Sequence, residues 1–266
     1  MSEPVSQMER NKVAVRRFKE SQGTKDEAAA MREILAPGYR RLRGGMANLA
    51  SNARDQGFPE PGAFLRDAFP DRVDVIEDII AEDDRVGMLW RLTGTHQGNL
   101  FGIPSTGRNV DIHEIGLFRL ADGRITEGWF MADEMGLLKQ LGTQLPPRKD
   151  GRSIVPPVTD AGEDGDAVVK RLMAKPPVTQ QDRNKLKLAR SKSSFAQRED
   201  RAHYVQRRWG LQHMRDYGEA NGLVQFDPSY AFPGRNDRIT GLIAEGDKVW
   251  MQFNLRGTHI TPSLAR

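Results

Sequence analysis

The amino-acid sequence predicts an α+β protein in which part of one domain is repeated. Helical periodicity fills the first residues, an apolar and polar alternation of period two begins near Arg72, and a stretch of that alternation recurs further on. A length of 266 residues is enough for two domains of common size. We therefore expect helices packed on a mostly antiparallel sheet, followed by a second copy.

The composition indicates a globular chain with much polar surface, since 38% of residues are hydrophobic and 29% are charged. No apolar run approaches the length of about 18 residues that a membrane-spanning helix needs, and the start MSEPVSQMERNK lacks the apolar core of a secretion signal. Cysteine is absent, which excludes disulfides and thiolate metal sites. We expect a cytoplasmic protein with no membrane partner. A net charge of +4 with intermixed signs also argues against nucleic acid as a partner.

Three helices are predicted ahead of the sheet. Gln7–Glu20 carries apolar residues on a helical repeat, and Lys25–Leu35 is rich in alanine and must end before Pro37. The stretch Pro61–Phe69 begins with proline, which suits the first turn of a helix.

Strands follow, because the period changes to two. The alternating residues Val86, Met88, Trp90 and Leu92 predict one buried stripe on a strand. Two more strands, Asn109–Leu120 and Arg124–Ala132, meet at Ala121-Asp122-Gly123. A helix over Glu134–Leu141 then closes the domain, with Gly142 placed to cap it.

A shift of 163 residues superposes FPDRVDVIEDIIAEDDRVGMLWRLTGTH on FPGRNDRITGLIAEGDKVWMQFNLRGTH, with 15 of 28 positions identical. The buried stripe recurs as Val249, Met251, Phe253 and Leu255. Such self-similarity indicates a duplicated domain. We predict a domain at 1–145, a proline-rich linker at 146–178 and a partial second domain at 179–266. The second copy stops about fifty residues short of the first; either its open sheet edge is covered by something, or the chain is a fragment.

Two motifs carry a resemblance to a known family. The loop GTHQGNLFGIPSTGR at 94–108 and the ending DEMGLLKQLG at 133–142 resemble the SnoaL-like polyketide cyclase family, within the nuclear-transport-factor-two-like superfamily. The resemblance covers about 8–145 and, through the repeat, roughly 200–266. It implies an α+β cone in which a strongly curved sheet wraps around helices and leaves one deep apolar pocket. It also implies no metal, no organic cofactor, and pairing through the sheet, as an internal pseudo-dimer or a homodimer.

The same resemblance implies that Asp133 is the catalytic group. Family cyclases use one carboxylate at the end of the last strand to remove a proton from a carbon flanked by carbonyls, and the enolate then closes a ring. Burial of such a carboxylate in an apolar pocket brings its pKa closer to that of its target. The structural alternative is that Asp133 only caps the following helix.

His113 is the second catalytic candidate, and its position depends on one turn. Alternation places the strand residues that precede Asp133, Ile125 and Trp129 among them, on the Asp133 side. A three-residue loop aligns Leu120 with Arg124 and sets His113 beside that side, whereas a two-residue turn sends it to the other face. We favour the longer loop, in which His113 assists Asp133 or stabilises an enolate oxygen; the alternative is an ordinary structural histidine.

Other residues were weighed for the site. His96 recurs as His259 in the repeat, so we expect it to tie down the loop after its strand. Arg40 and Arg41 stand where many family members have small or acidic residues, which is a departure from the family pattern. The candidates for the pocket wall, each of which could equally be plain core, are Trp90, Trp129, Met88, Met131, Ile115, Leu117 and Tyr39.

The resulting prediction is a polyketide (ester) cyclase-type protein that performs cofactor-independent enolisation and intramolecular aldol closure of a small hydrophobic carbonyl-containing molecule. The alternative is a non-catalytic small-molecule-binding or dimerisation module of the same fold. Epoxide hydrolysis is a weaker enzymatic alternative. It would need an Asp-Arg-Asp relay, for which the sequence offers only Asp133 with Arg91 or Arg119.

Overall fold

A computed structural model describes residues 6–57, 64–144, 162–197 and 234–258, together with 149, 151, 220, 222 and 232. The chain divides into two compact units, Met1–Val158 and Thr159–Arg266. Within the described residues, no helix has both the length and the apolar character needed to cross a lipid bilayer.

The first unit is a mixed α+β fold built on a five-stranded sheet. Its strands are β1 (Leu35–Arg43), β2 (Val73–Glu82), β3 (Arg85–Thr95), β4 (Asn109–Ala121) and β5 (Arg124–Ala132). Its helices are α1 (Gln7–Glu20), α2 (Glu27–Ile34), α3 (Ala47–Asp55), α4 (Phe64–Ala68) and α5 (Glu134–Leu141). The strand order is β1-β5-β4-β3-β2. Only the β1–β5 pair is parallel, so the sheet is mostly antiparallel as predicted.

One face of this sheet, here called the inner face, packs against the helices. It carries the predicted stripe of β3, all four residues of which are at most 3% exposed. Helices α1 and α2 pack with Trp90 and Phe130 in one apolar cluster, while α3 and α5 pack with Leu92 and Ile112 in another. The opposite, outer face carries the alternate residues of the same strands.

The β4–β5 turn differs from the prediction. It is a two-residue turn at Asp122-Gly123, with φ of 49° and 74°, and it pairs Ala121 with Arg124. Two adjacent positive φ values suit the tight hairpin turn that Asp-Gly favours. A bulge at Thr126 then shifts the register by one residue. Ile125 therefore lies buried on the inner face, whereas the residues beyond the bulge regain the alignment that we expected from the longer loop.

Strand β1 and helix α3 were not predicted. The stretch LAPGYRRLR forms a strand beside β5 although Pro37 and Gly38 interrupt it, and the pairing with β5 is irregular between Leu35 and Arg40. Gly38 has a φ of 77°, a value that favours glycine, so the irregularity has a local cause. Parallel pairing to a distant strand leaves no local signal in such a sequence.

The second unit is a smaller α+β assembly with a three-stranded sheet in the order β6-β7-β8. Its elements are β6 (Glu163–Asp164), α6 (Gly165–Ala174), α7 (Gln180–Arg190), β7 (Asn236–Glu245) and β8 (Lys248–Arg256). Helices α6 and α7 bury Val168, Val169 and Leu186 against β7. Strand β6 and helix α6 fall within the predicted linker 146–178, so ordered structure of this unit begins before the boundary at 179.

The β7–β8 hairpin has the same register as β2–β3. Val73 pairs with Thr93 and Asn236 with Arg256, and every later pair keeps the offset of 163 residues. The irregularity between Ile76 and Asp78 in β2 recurs between Ile239 and Gly241 in β7. The repeated sequence therefore forms the same hairpin with the same bulge. His259 lies outside the described residues.

Candidate functional site

Asp133 lies at the junction between β5 and α5 and is the N-cap of that helix. Its Oδ1 accepts a hydrogen bond of 3.0 Å from the backbone N–H of Gly136, and its own N–H donates to the carbonyl of His113 at 3.0 Å. A Cβ on Gly136 would lie 2.2 Å from Asp133 Oδ2, closer than real atoms approach. The spacing Asp-x-x-Gly thus has a steric reason: only glycine leaves room for this capping carboxylate.

His113 lies beside Asp133 along the backbone, but its side chain has another partner. Its Nε2 is 3.2 Å from Glu77 Oε2, on the residue that forms the bulge of β2. Both side chains are roughly a third exposed on the outer face, at 30% and 28%. The two predicted catalytic residues are therefore neighbours in the sheet, and the imidazole forms its ion pair with Glu77.

The predicted pocket wall divides between the two faces of the sheet. Trp90 and Met88 lie on the inner face, at 3% and 0% exposure, and Tyr39 packs against the same cluster. The other four candidates lie on the outer face, because β4 and β5 pair residue by residue across it: Ile115 with Met131, and Leu117 with Trp129. Met131 is 39% exposed. One continuous wall made of all seven residues is therefore wrong, and the inner face contains Trp90, Met88 and Tyr39.

The inner face contains a buried polar cluster that the sequence analysis missed, formed by Lys19, Asp74, Trp90 and Glu114. Glu114 is 5% exposed, and its Oε2 accepts a 2.9 Å hydrogen bond from Trp90 Nε1. Lys19 Nζ is 3.2 Å from Asp74 Oδ2 and 4.5 Å from the centroid of the Trp90 ring. Glu114 occupies an inner position in the apolar alternation of β4, and that misplaced acid is the signal that could have revealed it.

Burial governs the electrostatics of this cluster. Desolvation lowers the pKa of Lys19, and the nearby charge of Glu114 is the strongest influence that opposes this shift. Arg72 also pairs with Asp74, at 2.8 Å. The cluster and its Arg72 neighbour thus hold two basic and two acidic side chains, which is the balance that buried charges require.

Strand β1 brings cationic and phenolic groups to the edge of the inner face. The guanidinium carbon of Arg41 lies 4.9 Å from the centroid of Phe130. The hydroxyl of Tyr39 is buried without a hydrogen-bond partner, and burial raises its pKa while Arg41 opposes the rise. Arg40 instead pairs with Glu127. The two arginines that depart from the family pattern therefore have different surroundings, and Arg41 is the one beside an inner-face aromatic ring.

Glu134, next to Asp133, points to a different task. It accepts hydrogen bonds from the backbone N–H groups of Asn48 (2.8 Å) and Leu49 (3.2 Å) at the start of α3. Burial raises its pKa, and these hydrogen bonds act against the rise. This carboxylate therefore fixes α3 to the beginning of α5.

His96 ties down the loop that follows β3, as we expected. It is fully buried, and its Nδ1 lies 3.3 Å from the backbone N–H of Thr106, which identifies Nδ1 as the acceptor. Burial lowers the pKa of His96, with the backbone at Gly98 opposing the shift. Arg91, considered for an epoxide relay, pairs with Asp111 at 2.7 Å on the exposed side of the sheet. In the described part of the chain, no three histidine or acidic side chains come together to hold a metal ion.

Comparison with known proteins identifies the first unit. Residues 43–141 match the model of the SnoaL-like polyketide cyclase family. Residues 43–141 form a SnoaL-like domain. The domain includes strands β2 to β5, helix α5 and the Asp133-x-x-Gly136 motif.

Two curated relatives resemble the SnoaL-like domain. Aklanonic acid methyl ester cyclase DauD of Streptomyces sp. (strain C5) is 32% identical over 104 residues, which cover 38% of this chain and 64% of that protein. Aklanonic acid methyl ester cyclase DnrD of Streptomyces peucetius is 32% identical over 93 residues, 34% of this chain and 63% of that protein. The chain thus spans slightly less than two thirds of these relatives.

Solved structures include similar chains. A SnoaL-like protein from Jannaschia sp. CCS1 is 26% identical and covers 54% of this chain and 99% of its own, with a TM-score of 0.43. IdmH from Streptomyces antibioticus is 27% identical and covers 50% of this chain and 99% of its own, with a TM-score of 0.41.

Proposed function

We propose that the SnoaL-like domain catalyses cofactor-independent enolisation and intramolecular aldol closure of a hydrophobic carbonyl compound. The observation that carries the proposal is the match of residues 43–141 to polyketide cyclases, at 32% identity to two ester cyclases. The matched segment contains Asp133, the carboxylate that the resemblance assigns to proton transfer. The first substrate to test is aklanonic acid methyl ester, which the names of both relatives contain.

The chemistry needs only a positioned carboxylate. Asp133 takes a proton from a carbon between two carbonyl groups, and the electron pair of that C–H bond becomes the enolate. The enolate carbon bonds to a second carbonyl carbon of the same molecule. The oxygen of that carbonyl takes up its π electrons and then the proton that the Asp133 carboxylic acid returns. The product is an isomer of the substrate, so no oxidant or reductant is consumed.

The surroundings of Asp133 support this role without demanding it. The bond from Gly136 fixes the carboxylate in one orientation, and a carboxylate has about four lone-pair sites, so capping and proton transfer are compatible. The adjacent core of Leu137, Leu138 and Leu141 supplies apolar surroundings.

The second candidate function is a binding or dimerisation module without catalysis. It is favoured by one observation: capping already accounts for the position of Asp133, and the Glu77 ion pair accounts for that of His113. In that case the inner face would hold an apolar molecule that leaves unchanged.

Substitutions that preserve the cap separate these functions. Asparagine and serine both cap helices well, so Asp133→Asn and Asp133→Ser should keep the fold while removing the titrating carboxylate. We expect both to bind aklanonic acid methyl ester but to close the ring at least about 100-fold more slowly, the usual contribution of a general acid or base. Asp133→Ala, which loses cap and carboxylate together, is the comparison for stability. Ring closure by Asp133→Asn at the wild-type rate would leave Asp133 as a cap only.

We propose further that the second unit is a partial copy of the first. The common register and bulge of the two hairpins support this, and so does a helix match at an offset of 173 residues. Helix α1 reads QMERNKVAVRRFKES and the chain at 180–194 reads QQDRNKLKLARSKSS. Lys192 Nζ lies 3.5 Å from Asp237 Oδ2 and 3.8 Å from the Phe253 centroid, the same contacts that Lys19 makes.

The sheet of the SnoaL-like domain is also our proposed pairing surface, either with a second chain or with the second unit. Sedimentation of the full chain distinguishes these arrangements, since a homodimer has twice the mass of the 29.9 kDa monomer.

A further inference from the structure

Glu114 is out of place among the inner residues of β4. The other inner positions of this strand hold only apolar side chains or glycine: Val110, Ile112, Gly116, Phe118 and Leu120. A buried acid in such a stripe costs free energy unless its surroundings compensate for it. Buried, compensated carboxylates are concentrated at functional sites.

The compensation for Glu114 is asymmetric between its two oxygens. Oε2 accepts the Trp90 hydrogen bond at 2.9 Å, and the buried Lys19 ammonium lies over the same indole. Oε1 lies on the other side, against the backbone of Gly45, where an added Cβ would come within 2.2 Å of it. One oxygen is therefore anchored, while the other faces a glycine.

The cover over Oε1 is thin. Gly45 belongs to the short Gly44-Gly45-Met46 link between β1 and α3, and Gly45 is itself partly exposed. Ala132, the inner residue opposite Glu114 in β5, is the next nearest group to the Gly45 position. A single glycine residue therefore separates this carboxylate oxygen from the partly exposed side of the link.

Glu114 and Asp133 lie on adjacent rungs of the same pair of strands. Glu114 pairs with Ala132, and the N–H of Asp133 bonds to the carbonyl of His113. Closing a ring by aldol chemistry needs two proton transfers, one from carbon and one to oxygen. Two neighbouring carboxylates can divide these tasks.

We propose that Glu114 is a second catalytic carboxylate of the SnoaL-like domain, which takes the proton from the activated carbon while Asp133 delivers a proton to the new alkoxide. The inference rests on the proposed function and divides its two proton transfers. The C–H electron pair forms the enolate, Glu114 becomes the neutral acid, and the C–C bond forms. Asp133 then gives its proton to the oxygen, and proton exchange with water restores both groups.

The test measures deuterium exchange and ring closure separately. Aklanonic acid methyl ester is incubated with the full-length protein in D2O, and mass spectrometry follows deuterium at the activated carbon while absorbance follows closure. Glu114→Gln keeps an oxygen acceptor for Trp90, and we expect it to lower exchange and closure at least about 100-fold. Its binding by calorimetry should stay within about three-fold, a small free-energy change. Asp133→Asn should keep exchange and lose closure.

Two further variants keep the test decisive. Glu127→Gln is the matched control, because Glu127 is an acid at 19% side-chain exposure whose partners, Arg40 and Arg119, are remote from the inner cluster; it should exchange like wild type. If Glu114→Gln fails to fold, Glu114→Asp retains the negative charge but withdraws the oxygens by one methylene. We expect Glu114→Asp to lose at least about ten-fold in exchange, since misplacing a catalytic group by about 1 Å has effects of this size or larger.

The outcomes distinguish the two proposals. Wild-type exchange and closure with an equally active Glu114→Gln would overturn the role of Glu114 and leave the proposed function intact. Exchange lost in Asp133→Asn but kept in Glu114→Gln would overturn it as well. A wild-type protein that binds the ester but neither exchanges nor closes it would overturn the proposed function and the Glu114 role together.

Discussion

Gly136→Ala is the perturbation that best reports on the Asp133 carboxylate. The added Cβ would lie 2.2 Å from Asp133 Oδ2 and 2.7 Å from its Cγ, so the side chain must rotate away from the helix end. Losing an N-cap costs about 1 kcal/mol. Replacing glycine by alanine within a helix gains about 1 kcal/mol. We therefore expect the free energy of unfolding to change by less than about 1 kcal/mol.

A double-mutant cycle isolates the clash. In an Asp133→Ala background there is no carboxylate to displace, so Gly136→Ala should stabilise the protein by about 1 kcal/mol. The coupling between the two positions is then about 1 kcal/mol, within the range for residues in contact. Chemical denaturation of all four proteins measures it. Equal effects of Gly136→Ala in the two backgrounds would show that Asp133 does not lie over Gly136.

Activity gives the second half of this prediction. Because Gly136→Ala moves the carboxylate while leaving its chemistry intact, ring closure should fall at least about 100-fold with little change in stability. Wild-type activity in a stably folded Gly136→Ala protein would refute our assignment of Asp133 as the proton-transferring group.

Three further predictions concern buried charges. Lys19→Met should destabilise the first unit by about 3 kcal/mol because it leaves Glu114 without its cation, whereas Lys192→Met should cost the second unit about 1 kcal/mol, since Lys192 is 17% exposed and Asp237 keeps Arg235; hydrogen exchange resolved by unit compares them. Since burial lowers the pKa of His96, the unfolded state binds the proton first, and stability should be lost as the pH falls below about 6.5; His96→Asn should flatten this slope in denaturation series. Since burial raises the pKa of Glu134, the native state keeps the proton longer, and stability should fall as the pH rises above about 4.5; Glu134→Gln should remove this fall, and an unchanged slope would contradict the burial argument.

The elements that the sequence revealed are those with local signals. The stripe of β3 and the cap of α5 follow from periodicity and from residues close in sequence, and both are present at the predicted positions. Strand β1 was missed because its partner β5 is about ninety residues away and its sequence contains Pro37 and Gly38. The turn was wrong because alternation alone does not reveal the bulge at Thr126.

The site was less predictable because it depends on which face each strand buries. Alternation sorts residues into two sets, but the face that meets the helices is fixed by tertiary packing, so Trp129 and Met131 were grouped with Trp90 although they lie on the other side. Glu114 was overlooked because its compensating Lys19 is on a helix far away in sequence. No sequence pattern announces such a long-range pair.

The central claim is that the first unit enolises a carbonyl substrate with side-chain carboxylates alone. The most direct measurement incubates the full chain, dialysed against EDTA, with aklanonic acid methyl ester in D2O and records the deuterium content of the recovered ester and product. Our account predicts deuterium at the activated carbon and a ring-closed isomer in the dialysed sample. Tight binding of an ester that returns without deuterium would contradict it and favour a binding module.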